Sequence, residues 1–596
     1  MVRSSGNVSK GSPNLSERGD VEQGLREADV QVHRVYHTPS ALHTSMEPHG
    51  AVAEWEGDRL TVWESTQGVY RVRDELATQL GVPRSTVRVL KEHMGGGFGA
   101  KNNAGTHTFV AALLARRTGR PVRCVLDRYG EQVDSGHRPA ARITVTLGAR
   151  RDGTLTAIRA DTEVTMGIGG WEAPPSAIFH ELYACPNVRT TDVFAWVHSQ
   201  AMAAFRAPGH VEGAFALERA LDTLASALGM DPLELRLRNV PGRDQEKKRP
   251  YSVDALRQCI EAASARFGWP AGASPEDPAK PHLRRGIGLA AQIWGAGGGP
   301  PAYATVRVNS DGTADVLSGT QDLGTGARTI LAQIGAESLG ARFEDVRVVL
   351  GDTERTPYAG NSWGSMTTAS VGPAVRAAGE DARRCLLDAA AELLECHPDD
   401  LVARASVITT RDGARSLTFA EVTKKLGNVM IMGQGSRGPN ARDVGLVSVG
   451  AQCAEVEVDA ETGRVRVTRI VAVHDAGRII NPLLAQSQLE GGILQGLGFA
   501  LYEDRVVDRA TGIPLNPGMH DYKIPTMADL PAIDASCLDL NDAQANSIGA
   551  RGLAEPPIIP TAPAIANAVA NALGVEVNTL PLTPRHVLEA IRAAYA

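Results

Sequence analysis

Apolar and polar residues alternate with two different periods along this chain of 596 residues. Val87-Arg88-Val89-Leu90 has a period of two, the pattern of a strand with one buried face. Val211–Leu228 instead places Phe215, Leu217, Leu221, Leu224 and Leu228 on or near one face of a helix, which Gly229 ends. Asp231-Pro232-Leu233-Glu234 predicts the next helix start, with Asp231 as cap, Pro232 at the first helical position and Glu234 closing a capping box. Glu380–Leu394 reads as a further helix. Ala454–Val458 and Val465–Val473 alternate as strands around the turn Glu461-Thr462-Gly463. Helices and strands mix without a regular βαβ rhythm, so the predicted fold class is α+β.

One order of elements occurs twice. Thr66 to Leu90 runs from a strand end through a helix and Leu80-Gly81 into Val87–Leu90. Thr325 to Leu350 does the same through Leu339-Gly340 into Val346–Leu350, with the same offset from glycine to valine. A small-residue loop follows each copy, Gly95–Gly99 in the first and Gly360–Thr368 in the second. If the two are duplicates, they grip one ligand from opposite sides. Residues 1–20 are rich in Ser, Gly and Asn and read as a linker or disordered start. Pro270, Pro275, Pro278 and Pro281 mark an interdomain connection at 270–281, which divides the rest into units 21–269 and 282–596.

Composition removes several classes of function. Hydrophobic content of 43% and charge of 22% are ordinary for a globular protein. A net charge of -7 argues against a nucleic-acid surface. No apolar run is long enough to span a bilayer, and the N-terminus has no apolar signal-peptide core, which favours the cytoplasm. Co-export to the periplasm with a partner subunit is the alternative. The seven cysteines are scattered and form no CxxC, so no iron–sulfur cluster is expected in this chain.

The glycine run Gly95-Gly96-Gly97-Phe98-Gly99-Ala100-Lys101 comes close to a phosphate-binding P-loop. That motif needs Gly before the Lys and Ser or Thr after it, and here Ala100 and Asn102 stand there. Further small-residue loops occur at Phe205–Gly209, Gln321–Gly326, Gly364–Thr368 and Gln488–Gly492. Together they suggest an extended polar ligand held by many backbone donors. Glu555 lies between apolar residues and Pro556-Pro557, which supply no N–H to its carboxylate. If buried, its pKa rises toward neutrality, as suits a general base. His43, Glu47 and His49 could form a small metal cluster, but Pro48 breaks a continuous helix there, and a packed or hydrogen-bonded histidine pair is the simpler reading.

Six motifs in order carry a resemblance: the glycine run, Ala204–Gly209, Gly319–Gly326, Asp475–Pro482, Asp521–Pro525 and Ala554–Pro557. In this order they resemble the molybdenum hydroxylases, the xanthine dehydrogenase and aldehyde oxidoreductase family. The chain is similar to that family's molybdopterin-binding large subunit from about residue 20 to its end. Asn361–Ser365, Gln321–Gly326 and Pro250–Ser252 point to the bacterial aldehyde oxidoreductases with separate subunits. The resemblance implies two large mixed α/β molybdenum-cofactor-binding domains and a molybdenum–molybdopterin cofactor in its cytosine dinucleotide form. It implies oxidation of aldehydes to carboxylic acids with water as oxygen source. Hydroxylation of purines or other N-heterocycles is the alternative, and a non-catalytic truncated paralogue a third.

The resemblance also assigns residues. Glu555 matches the catalytic base. Gln67, Gly96, Gly97, Phe98, Gly99, Arg206, Gly324, Gly364, Ser365, Thr367 and Gln488 match cofactor-contact positions. No side chain is expected to ligate the metal, which the pterin holds; Gln67, Phe98, Arg206 and Gly364 are expected nearest to it. Electrons then leave to partners, a small iron–sulfur subunit and an FAD-binding subunit. Three departures matter. Asn102 replaces the Glu of xanthine-oxidising members, and the Arg they carry upstream of Tyr183–Asn187 is missing around Pro174–Ser176. Pro208 stands where such members have a purine-clamping Phe. Third, family chains usually begin with an additional α/β domain before the stretch that starts near residue 20; it is expected to lie upstream of a misassigned gene start, to sit on another chain, or to be dispensed with. The first two departures disfavour xanthine as substrate.

Overall fold

The computed structural model of the chain describes residues 4–270 and 278–595. Among these, four sheets have four or more strands. The largest, of seven strands, sets Val30–Thr38, Ala141–Ala149, Leu155–Met166 and Val188–Trp196 side by side. The helix His210–Leu228 packs across the first two of these. Phe215, Leu217, Leu221 and Leu224 are buried as the sequence predicts, but Val211–Leu221 is buried on every side, and Gly229 ends the helix in the left-handed conformation. Asp231 caps the next helix, Pro232–Arg238, by accepting from Leu233 N. The predicted capping box is not formed there.

The polar start is not a linker. Asn14–Arg18 is a strand paired antiparallel with Val188–Asp192. Backbone bonds hold this outer strand while its side chains stay mostly exposed, so its composition reads like a loop.

A four-stranded sheet in the second half joins Leu283–Gly295, Val447–Asp459, Val465–Asp475 and Ala532–Cys537. The helix Thr561–Leu573 lies directly on it. A Cβ at Gly286 or Gly288 would stand 2.2 Å from the carbonyl oxygen of Ala568 or Ala564, so only glycine allows this approach. One continuous core takes Phe215, Leu221 and Phe267 from before the proline-rich break and Leu289, Val471 and Ile565 from after it. The units 21–269 and 282–596 therefore share their largest core. Residues 271–277 of the expected connection lie outside the described residues.

The repeat is a repeat of topology. In the first copy, Gly50–Glu56 and Arg59–Glu64 form an antiparallel pair, and the helix Val69–Leu80 returns the chain to Val87–Leu90, parallel to Arg59–Glu64. In the second, Tyr303–Val308 and Ala314–Ser318 pair, and Ala327–Leu339 leads to Val346–Leu350, parallel to Ala314–Ser318. Each sheet gains a fourth strand beside its first, Val122–Val125 or Ile431–Ser436, after a further helix. That helix is Thr106–Thr118 in one copy and Thr367–Leu394 in the other. The latter starts well before the predicted Glu380. Its first turns hold Pro373 and a run of small residues whose face has no strong apolar period.

Candidate active site

The two copies meet where their parallel strands end. Lys91 N donates to Gly351 O at 2.8 Å, and Arg88 pairs with both oxygens of Asp352 at 3.0 and 2.6 Å. The glycine run follows one strand and Gly360–Thr368 the other, and both wall a single cavity of about 1800 Å³. That exceeds the roughly 300–1,000 Å³ of an ordinary small-molecule site and leaves room for a large ligand with a smaller one beside it.

Every residue assigned by resemblance lines this cavity: Gln67, Gly96, Gly97, Phe98 and Gly99 from the first copy, and Gly324, Gly364, Ser365 and Thr367 from the second. Arg206 and Gln488 reach it from other elements, and Glu555 from the C-terminal segment.

Gln67 joins the two copies. Its Nε2 donates to Ser362 O at 2.8 Å, while its Oε1 accepts from Gly99 N at 2.8 Å and Lys101 N at 3.3 Å. An amide nitrogen has two hydrogens, so one remains for a ligand. The glycines make this closeness possible. A Cβ on Gly97 would stand 2.6 Å from Gln67 Oε1, and one on Gly99, at φ +111, only 2.1 Å from Ala204 O. Gly99→Ala is therefore expected to displace the run, cost about 2–4 kcal/mol and lower cofactor content. Metal analysis and thermal unfolding of the purified variant check this.

Three non-glycine residues at the site have positive φ: Phe98 at 53°, Ala207 at 55° and Ser365 at 58°. Such backbone costs roughly 1–3 kcal/mol per residue and persists where the surroundings enforce it. Here it aims backbone and hydroxyl groups. Phe98 O accepts from Arg206 N at 2.9 Å, and Ala207 N donates to Glu555 Oε1 at 3.3 Å. Ser365 Oγ donates to Glu555 Oε2 at 2.9 Å and accepts from Glu555 N at 2.8 Å. Glu555 opens the short turn Pro556–Ile558, whose first two residues are prolines without N–H groups. The carboxyl consequently lacks the backbone donors a helix start usually supplies. Burial raises its pKa above the ordinary value, and the bonds from Ser365 and Ala207 and the Arg206 charge only partly oppose this.

Arg206 is buried and spends its guanidinium on the protein. It donates to Ala554 O, to Gln495 Oε1 at 3.0 Å and to Gln488 O at 2.8 Å. It thus ties the helix Pro482–Leu501 to the Glu555 segment. Burial lowers its pKa to about 10, which leaves it charged at neutral pH. Asp475, from the Asp475–Pro482 motif, ends the strand Val465–Asp475, is buried against Arg551, four residues before Glu555, and fastens that strand to the Glu555 segment.

Helix starts give the cavity its polarity. Gly105, Met366 and Asn481 cap three helices and line it, and Gln67 stands immediately before the cap of a fourth. Helix N-termini carry unpaired N–H groups and a partial positive charge, so their convergence favours an anionic ligand.

His43, Glu47 and His49 do not form a metal cluster. His43 Nε2 bonds to Ala204 O at 2.7 Å, and His49 Nδ1 bonds to Glu131 at 3.0 Å. Among the described residues no group of side chains is arranged to hold a metal ion. Two cavity residues escape sequence reading. Trp294 ends the strand Leu283–Gly295 and looks there like any strand aromatic. Glu503 also faces the cavity and accepts from Tyr522 Oη at 2.7 Å, with its pKa raised to about 7 by burial. Tyr522 belongs to the Asp521–Pro525 motif, the one signal that could have led to it.

Relatives name this arrangement. Families described as molybdopterin cofactor-binding domains match residues 6–240 and 262–531. The xanthine dehydrogenase molybdenum-binding subunit of Escherichia coli O157:H7 is 33% identical over 618 residues, covering 100% of this chain and 81% of that subunit. The aldehyde oxidoreductase molybdenum-binding subunit PaoC of Escherichia coli K12 is 34% identical over 581 residues, 96% of this chain and 77% of that one. The chain belongs to the molybdopterin-binding xanthine dehydrogenase and aldehyde oxidoreductase family. Its fold agrees. Quinoline 2-oxidoreductase from Pseudomonas putida 86 superposes with a TM-score of 0.88 at 26% identity, over 99% of this chain and 79% of that one. Aldehyde oxidoreductase from Desulfovibrio gigas gives 0.83 at 27%, over 98% and 64%.

The residues present fit a molybdopterin. The free Gln67 hydrogen, the glycine cradle that a Cβ would fill and the four helix starts together suit a polar, anionic cofactor. The chain is thus an oxidoreductase subunit with a molybdenum cofactor. No helix among the described residues is long and apolar enough to cross a membrane.

Proposed function

We propose that this chain is the catalytic subunit of a molybdenum hydroxylase that oxidises aldehydes to carboxylic acids with water as the oxygen source. The observation that carries this reading is Glu555, a carboxyl of raised pKa held by Ser365 and Ala207 on the wall of the cofactor cavity. When bound, the molybdenum cofactor supplies the two-electron oxidation. Gln67 and the glycine run would hold it from one side, and Gly364, Ser365 and Thr367 from the other. Gln488 stands beside Arg206 on the long helix. Glu555 takes the proton that water must lose to attack the substrate carbon, at Oε1 or Oε2. The helix start at Met366, whose residues Thr367 and Thr368 line the cavity, offers donors for a pyrophosphate, which supports a dinucleotide form of the cofactor; the cytosine form is the one the resemblance implies.

The electrons need another chain. All seven cysteines are free and dispersed, and no ligand cluster occurs among the described residues. This supports an iron–sulfur subunit and an FAD-binding subunit as partners, in keeping with relatives named as molybdenum-binding subunits. Asn102 lines the cavity with its Nδ2 committed to Gly99 O at 3.0 Å, and Pro208 lines it too. An amide and a proline there offer purines neither a carboxylate nor a flat clamp. Other N-heterocycles stay open as a second reading, favoured by the flat Trp294 on the cavity wall and by the likeness to quinoline 2-oxidoreductase.

Protein from a molybdate-fed host is expected to contain about one molybdenum per chain. The reconstituted complex is expected to turn over aldehydes at least about tenfold faster than xanthine, a preference of some 1.4 kcal/mol. Well-folded protein without molybdenum would sink the reading, and a preference for xanthine would move it to the purine branch.

A further inference from the structure

A base that acts in every turnover must lose the proton it gains. The two groups bonded to the Glu555 carboxyl are the Ser365 hydroxyl and the Ala207 N–H, and neither is basic near neutral pH. Two positively charged or chargeable side chains lie within electrostatic reach, Arg206 and His210. Arg206 stays charged and is spent on three protein acceptors. His210 remains. It opens the helix His210–Leu228, three residues after Ala207, and an imidazole can accept a proton at one ring nitrogen while donating from the other.

His210 also leads outward. Its Nε2 lies 3.4 Å from Glu181 Oε2, at the end of the short helix Ala177–Glu181. Side-chain exposure rises from 12% at His210 to 42% at Glu181. Trp294, a cavity residue, stacks edge-on against the imidazole with ring centres 4.8 Å apart and borders it on one side. Around His210 the charged groups are thus Glu181 from the short helix and Glu555 from the segment before Pro556–Ile558; Trp294, from the strand Leu283–Gly295, is uncharged. A neutral imidazole donating from Nε2 to Glu181 keeps Nδ1 free to accept.

We propose that His210 and Glu181 form the proton exit of the site, a role that rests on Glu555 being the base. The Glu555 O–H breaks and an N–H forms on His210 Nδ1 through intervening water; once the Nε2 proton has left, exchange with water returns the ring to its Nε2–H tautomer. The imidazolium gives its Nε2 proton to Glu181, which loses it to solvent, and no electrons move. His210 and Glu181 thereby restore the carboxylate between turnovers without touching substrate.

The test uses His210→Gln and Glu181→Gln in the complete enzyme with its partner subunits. Molybdenum content and the anaerobic rate of one substrate-driven reduction are expected to stay within about twofold of the parent, since a single turnover needs no exit. Steady-state kcat is expected to fall about tenfold in His210→Gln, less than the loss from removing the base itself, and added imidazole restores at least half of it. Glu181→Gln shows a smaller fall, with the pH profile of kcat moved and that of the single turnover unmoved. Unchanged kcat in both variants overturns the proposal. So does a parallel fall of kcat and single-turnover rate that imidazole does not rescue, which marks a structural role. Full turnover in Glu555→Gln would remove the base assignment itself, a failure separate from that of the exit.

Discussion

Glu555→Gln is expected to keep molybdenum and lose turnover by roughly 100- to 10,000-fold, the usual contribution of a positioned base. The amide keeps the size of the carboxyl: its oxygen can accept from Ala207 N, and its NH2 can donate to Ser365 Oγ once that hydroxyl rotates, so the backbone turns at Ser365 and Ala207 have little reason to move. What is lost is the site for a proton. The pH profile follows from the same carboxyl. Burial raises its pKa, so the base form appears only as pH climbs through a value above the ordinary carboxylate range. In the parent, kcat/KM is expected to rise across that higher window and then level off. The variant is expected to lose this limb. Metal analysis with kcat/KM against pH checks both, and a variant with parent-like activity would take the base role away from Glu555.

Arg206→Met should act on the whole site. The guanidinium bridges Ala554 O, Gln495 Oε1 and Gln488 O, and Met fills much of its volume without a single donor. Three buried acceptors are left unpaired, a cost of about 3–5 kcal/mol. The long helix Pro482–Leu501 and the Glu555 segment would lose their link, so cofactor content should fall together with the first unfolding transition. Arg206→Lys should recover little, because one ammonium on a flexible stem cannot reach three acceptors spread around a planar fork. Molybdenum analysis and thermal unfolding of both variants decide this. Full metal occupancy in Arg206→Met would mean that the tie is dispensable.

How much of this could be read from residues alone differs from element to element. Helix His210–Leu228 was legible because its apolar face recurs every three to four residues and glycine ends it. Helix Thr367–Leu394 was read only from Glu380 onward, since its small-residue start packs closely and carries no apolar stripe. Strand Asn14–Arg18 was misread as linker because backbone pairing, which has no side-chain signature, holds an outer strand. The division at the proline-rich break was drawn from composition, which cannot show that Phe215 and Ile565 join one core. Trp294 and His210 had no signal at all, since both stand in segments whose local pattern is fully satisfied by strand and helix.

The sequence by itself determined the chemistry on offer: a glycine run that is not a P-loop, a carboxylate set against prolines, a chain without cluster cysteines, and six motifs in the order of one family. Those properties are local, carried by neighbouring residues and their spacing. Only the tertiary structure decided how they combine. It turned a faint repeat into two sheets of one topology whose strand ends face a common cavity. It brought Ser365 and Ala207 to Glu555 across separations of 190 and 348 residues. It set the His210 imidazole against Trp294 of the cavity wall, with Nε2 3.4 Å from Glu181 Oε2. Distances of this kind are fixed by packing between segments far apart in the chain, which no local pattern of residues encodes.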